Sequence, residues 1–136
     1  MITIVQQVLD DVLAHARDDA PRECCGLLIG VPGLISESAR AANLEAGTTR
    51  FQIDPRAHIE AIRAARARNL DVVGFYHSHP QSRAYPSETD VAESGYAGAM
   101  HLIVGVDNGA QEARLFTIDG ATIAELPVAI AGSGTP

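Results

Sequence analysis

The chain has 136 residues, 46% of them apolar and 20% charged, which is enough material for one buried core and argues against disorder. A formal net charge of −7 disfavours broad nucleic-acid binding, because such proteins usually carry a basic face. The start, MITIVQQVLDD, lacks a basic n-region and a continuous apolar h-region, and no apolar run reaches transmembrane length, so a cytoplasmic protein without a membrane partner is expected. Cys24 and Cys25 are adjacent, and a bridge between neighbours is strained, which fits a reducing compartment.

Thr3 to Gln6 matches a capping box and predicts a helix opening there. Val5, Val8, Leu9, Val12, Leu13 and Ala16 then form one apolar stripe at helical spacing, ended by Asp18-Asp19-Ala20-Pro21. Glu23 to Gly30, ECCGLLIG, is a short apolar run before Val31-Pro32-Gly33 and predicts a buried strand. Leu34 to Asn43 is its expected partner strand, and Phe51 to Ile53 a short extended piece. Asp54 caps and Pro55 opens a second helix running to about Asn69. Asp71 to His79, DVVGFYHSH, is apolar on both faces and reads as a central strand, which Pro80 stops by removing a ladder donor. Residues 80–86 form a loop, and Ser87 starts a third, short helix ending near Gly95 to Gly98. His101 to Val106 and Glu112 to Ile118 are strands joined at Asp107-Asn108-Gly109, and Thr122 to Leu126 is a last strand after Asp119-Gly120. Helices interleaved with hairpin-joined strands give an α/β (α+β) sandwich on a mixed sheet, too irregular for a doubly wound one. One domain over residues 1–127 and a mobile tail over 128–136 are expected.

The chemistry concentrates in HSHPQSRAYPSETD, residues 77–90. Side chains alternate along a strand, so His77 and His79 project from one face and Ser78 from the other. Pro80 turns the chain at once, which puts the pair at a strand end, where sites are usually built. Asp90, in the first turn of the next helix, is placed to return a carboxylate oxygen to the same point. Two nitrogens and one carboxylate leave a fourth tetrahedral position for water, the pattern of a catalytic zinc rather than a closed structural one. Zinc lowers the pKa of such a water to about 7, which yields a hydroxide nucleophile at neutral pH. A general base outside the ligand set is also needed. Glu23, a charged residue opening an apolar strand, is the candidate to take the proton and pass it to a leaving amine.

Blander readings stand beside this one. Ser87-Glu88-Thr89-Asp90 also matches [ST]-x-x-[DE], a capping box that needs no metal, although Ser87 can cap the backbone while Asp90 turns to an ion. Glu23 by itself reads as an exposed strand-end charge. Cys24 and Cys25 lack an activating cation and read as small core residues, with Cys25 on the face of Glu23. His15, His58 and His101 lack partners at ligand spacing and read as surface or core residues. Two histidines and a carboxylate also form the facial triad of non-haem iron oxygenases, whose sites are commonly on all-β jelly rolls.

These residues resemble the JAMM (MPN-plus) zinc metalloprotease family, in its small bacterial branch. The family pattern is an upstream glutamate, then H-x-H, seven residues, serine, two residues and aspartate. His77-Ser78-His79, Ser87 and Asp90 match it without a gap, and Glu23 in PRECCGLLIG matches the upstream glutamate. FQIDP and VVGFYHSHP also look like the bacterial branch, and the likeness runs from Ile2 to about Leu126. The resemblance implies one zinc ion per chain on His77, His79 and Asp90, with Glu23 activating the water. Ser87 would help stabilise the tetrahedral oxyanion, as a donor aimed at developing negative charge. The implied fold is a curved mixed β-sheet sandwiched by helices, akin to cytidine deaminases. The deaminase signature, H-x-E with P-C-x-x-C, is absent. Family members hydrolyse amide or isopeptide bonds after the C-terminal Gly-Gly of ubiquitin-like proteins, and small bacterial members resemble hydrolases of sulfur-carrier adducts. A partner of that kind is implied, its slim tail threaded along a sheet edge beside the zinc. Whether Ser82, Arg83 or Tyr85 in the loop covers the site at rest is left open by the sequence. A non-catalytic scaffold of the same fold is the main rival, and the complete motif argues against it. Neither the substrate's identity nor homo-oligomerisation is determined by the sequence.

Overall fold

The computed structural model describes residues 1–45, 51–88, 90 and 99–132. In chain order these form β1 (Ile2–Val5), α1 (Gln6–Asp19), β2 (Cys25–Val31), β3 (Leu34–Ala41), α2 (Pro55–Arg66), β4 (Asp71–Ser78), β5 (Met100–Asp107), β6 (Ala110–Asp119), β7 (Thr122–Leu126) and β8 (Val128–Ala131). The strands make one curled mixed sheet in the order β7-β6-β5-β4-β2-β3-β1-β8. β4 runs parallel to β5, and β1 runs parallel to β3 and β8, while the remaining neighbours are antiparallel.

Strand alternation divides the core into two layers. Leu27 lies opposite Phe75 and Cys25 opposite His77 across the β2–β4 pair, so these side chains share one face. Leu28, Tyr76 and Leu102 belong to the other face, where Val8, Val12 and Ala16 of α1 pack against them. Full burial of a valine such as Val8 or Val12 contributes about 1.5–3 kcal/mol. α2 covers the first face through Ala61, which packs with Leu27 and Phe75. The result is the helix-covered α+β sandwich expected from the sequence, with β4 among the central strands.

Most local signals act as expected. Asp54 accepts a hydrogen bond from the Arg56 N–H at 2.9 Å, and Pro55 is the first residue of α2. Asn108 and Gly109 both take positive φ, 51° and 80°, as a two-residue hairpin turn requires. α2 stops at Arg66, short of Asn69, whose φ of 60° is incompatible with a continuing helix.

Two expectations are corrected. Thr3 to Gln6 forms no capping box: α1 is preceded by extended Val5, and no side chain caps it. Residues 2–5 instead pair with β3 and β8, and the Thr3 N–H donates to the Gly33 carbonyl at 2.9 Å. Ladder hydrogen bonds satisfy backbone groups that a cap would have left to solvent. Residues 128–131, expected as the start of a mobile tail, are β8, with Ile130 beside Ile4. β1 thus has strand partners on both edges, β3 and β8. Residues 88 and 90 are helical, but 91–98, the rest of the expected third helix, lie outside the described residues, as do 133–136. Among the described residues no helix is long and apolar enough to cross a membrane.

Candidate metal centre

The C-terminal end of β4 carries His77 and then His79, both buried. Their Nε2 atoms lie 3.2 Å apart. Ser78 points the other way, and its Oγ accepts the Cys24 N–H at 2.8 Å. That bond ties β4 to the residue beside Glu23. Asn43 fixes Glu23 from the opposite side, donating to its carbonyl at 3.0 Å. Asn43 is itself held, because its Oδ1 accepts from the Glu45 and Gln52 N–H groups at 2.9 Å. Glu23, expected as either an exposed charge or a site residue, is only 4% exposed. Ligand atoms of Glu23, His77 and His79 all lie within 4.8 Å of one another.

Asp90 reaches the same point from the helix start. Its Oδ2 is 3.1 Å from His77 Nε2 and 3.0 Å from His79 Nε2. The same oxygen accepts the Ser87 N–H at 2.9 Å, and the Asp90 N–H donates to Ser87 Oγ at 3.0 Å. The capping box is thus formed in both directions while Asp90 faces the histidines. The cap and the approach of Asp90 to the histidines therefore coexist.

The donor chemistry asks for positive charge. His79 Nδ1 is 3.0 Å from the Arg83 carbonyl, which can only accept, so Nδ1 carries a proton. In the neutral ring Nε2 is then a lone pair, aimed at a carboxylate oxygen. Burial disfavours the charged form of His79, but hydrogen bonds to Asp90 and the Arg83 carbonyl outweigh it and raise its pKa. Burial dominates at His77 and lowers its pKa. Burial likewise opposes ionisation of Asp90, yet its hydrogen bonds to both histidines hold it well below the usual carboxylate range. A metal ion would meet the same demand that draws a proton to His79. Glu23 differs: burial pushes its carboxyl up to about 7, against the pull of His79 and with the help of Asp90. Among the described residues its Oε1 and His77 Nδ1 are buried with no hydrogen-bond partner. Two imidazole nitrogens, an ionised carboxylate and a separate near-neutral carboxyl suit a divalent ion with borderline ligands.

The other candidates fall away from this cluster. Cys24 and Cys25 are buried free thiols, pushed by burial up to about 11 and about 12, which makes them inert core residues. His15 is buried against Tyr76, and His58 packs edge-on to Phe75. His101 is buried on the site face beside Phe75, and its Nε2 has no hydrogen-bond partner among the described residues. β4 offers no free edge, because it has β2 on one side and β5 on the other. A substrate tail threaded along an edge beside the ion is therefore ruled out for β4. The loop residues face the β5–β6 hairpin: Arg83 pairs with Glu112, and Tyr85 lies edge-on to Phe116.

Sequence reasoning missed Phe51, which stacks on the His77 ring at 4.3 Å between centroids and 20° between planes. It also missed Asn43 and the Arg83 carbonyl. A buried role for Phe51 has no local signal, since its partner lies 26 positions away. A backbone carbonyl has no residue identity to read.

Residues 5–119 match the family model described as prokaryotic homologs of the JAB domain, and the chain belongs to that family. It is 32% identical over 136 residues to a desampylase of Haloferax volcanii, covering 95% of this chain and 96% of that protein. It is 30% identical over 131 residues to the CysO-cysteine peptidase of Mycobacterium tuberculosis, covering 94% and 90% respectively. The fold is that of a JAB1/MPN domain protein from Archaeoglobus fulgidus, with a TM-score of 0.63 at 21% identity over 96% of this chain and 97% of that one. The chain is a JAMM-type hydrolase.

Proposed function

We propose that this hydrolase is a zinc-dependent peptidase or isopeptidase that cleaves the amide bond after the C-terminal Gly-Gly of a ubiquitin-like or sulfur-carrier protein. The observation that carries the reading is the convergence of His77 Nε2, His79 Nε2 and Asp90 Oδ2 at 3.0–3.2 Å beside a buried Glu23. His77, His79 and Asp90 would hold the ion. Zinc bound there supplies Lewis acidity and lowers the pKa of a water to about 7.

The remaining roles belong to the chain itself. Glu23, with a carboxyl near neutrality, accepts the proton of the attacking water and delivers it to the leaving amine. Ser87 Oγ accepts from the Asp90 N–H, so its own hydrogen remains to donate to the oxyanion. Phe51 and the buried strand ends keep bulk water from the imidazoles. The named activities of the relatives, a desampylase and a CysO-cysteine peptidase, favour a small carrier protein as the substrate class.

The test is to measure zinc in the purified chain and to offer a panel of Gly-Gly-ending carrier adducts, reading cleavage by mass spectrometry. About one zinc per chain and chelator-sensitive cleavage are expected. A chain that binds no zinc, or cleaves after its removal, would sink the mechanism. Cleavage of ordinary peptides alone would overturn the substrate class.

A further inference from the structure

We propose that Glu112 and Arg83 are positioning residues that set the tautomer and ring orientation of His79. The functional consequence rests on the metal reading above; the geometry does not. Arg83 Nε and Nη2 donate to the two Glu112 carboxylate oxygens at 2.8 and 3.2 Å. The Ala84 N–H donates to the same carboxylate at 2.8 Å. Three donors from two successive loop residues thus meet one side chain of β6. These hydrogen bonds, from Arg83 first and Ala84 second, hold the Glu112 carboxyl down at about 2, so it remains ionised near neutral pH.

The rest of the loop is seated with them. Val106 N–H donates to the Ser82 carbonyl at 2.6 Å, and Ala84 is buried against Ile103 and Phe116. Gly105 makes this approach feasible, since a Cβ there would stand 2.4 Å from the Ala84 nitrogen. What the seating holds still is the Arg83 carbonyl. That carbonyl meets His79 Nδ1 at 3.0 Å, keeping the proton there and turning Nε2 toward His77 and Asp90. Glu112 meets Arg83 and the Ala84 N–H, and so acts on His79 through the loop backbone. Outer-shell partners of ligating histidines commonly change metal affinity by about 10–100-fold. Glu112 stands one step further out, so about tenfold is the expected scale.

A plain surface ion pair, or a purely electrostatic effect, behaves differently. Loss of the Glu112 charge weakens cation binding electrostatically, and loss of the Arg83 charge strengthens it. A positioning pair weakens binding in both cases. The experiment is zinc competition against a chromophoric chelator for the full chain, for Glu112→Ala, for Arg83→Gln and for the double variant. Nitrogen-15 spectra of the His79 ring in the metal-free chains accompany it. Both single variants should bind zinc about tenfold more weakly, and the double variant no more weakly than either single one. Glu112→Gln, which keeps an acceptor for Ala84, should recover part of the loss. At a pH where the ring is neutral, the Nδ1–H form of His79 should lose population in Glu112→Ala. Affinity shifts of opposite sign, or unchanged affinity and tautomer, would overturn the proposal. A wild-type chain without zinc affinity would sink the metal reading alone, and the His79 tautomer would then decide this one.

Discussion

The two faces of β4 treat buried polar groups in opposite ways. On the α1 face each polar side chain of β4 is answered within the protein. Tyr76 OH meets His15 Nδ1 at 2.7 Å, His15 Nε2 meets Asp19 at 3.2 Å, and Ser78 Oγ accepts the Cys24 N–H. On the other face Glu23 Oε1, His77 Nδ1 and His101 Nε2 are buried without hydrogen-bond partners among the described residues, while His77 Nε2, His79 Nε2 and Asp90 Oδ2 converge on one another. Leaving such groups unpaired typically costs about 1–3 kcal/mol each. The first face is explained by stability alone. The second is costly unless a ligand or solvent meets those groups, which marks it as the candidate site.

The largest expected effect breaks the site face alone. Glu23→Gln should lower the rate of carrier-adduct cleavage by about 10²–10⁴ while leaving zinc content unchanged. Normal turnover in that variant would remove Glu23 from the mechanism. Ser87→Ala should lower kcat by about 10², with part of any stability change due to the lost cap. If KM alone rises, Ser87 is not aimed at the transition state.

The contrast also has a pH signature in the metal-free chain. The folded pKa of Glu23, about 7, lies above its ordinary 4.5. A raised folded pKa contributes stability that is present below pH 4.5 and is lost as pH rises through 7. The stability of wild type relative to Glu23→Gln should therefore fall across that window by roughly 1–3 kcal/mol, after allowance for screening. Denaturant melts at a series of pH values measure this, and a flat difference would mean that Glu23 is not buried as described. The smallest effect belongs to the other face. Tyr76→Phe should cost about 1–2 kcal/mol, because it strands His15 Nδ1, and should leave zinc affinity untouched. A change in zinc affinity would show that the two faces are coupled.

The convergence of His77, His79 and Asp90 was largely legible because its key elements are local. Alternation along β4 puts His77 and His79 on one face, and a loop of fixed length returns Ser87 and Asp90 to it. Thr3-Gln6 and Ser87-Asp90 carry similar capping patterns with opposite outcomes. Only the second becomes a cap, because the first lies where β1 gains ladder partners on both edges. A four-residue pattern does not report which long-range partner competes for its backbone.

From the sequence alone came the H-x-H pair, the reciprocal Ser87-Asp90 turn, the helix start at Asp54-Pro55 and the Asn108-Gly109 hairpin. Each depends on residues close enough in the chain for local geometry to decide it. The tertiary structure alone decided that Glu23 is buried beside the histidines and that residues 128–131 join the sheet. It also decided that Phe51 lies on His77 and that the Arg83 carbonyl meets His79 Nδ1. Those contacts depend on sheet order and on burial, which arise only when distant segments pack together.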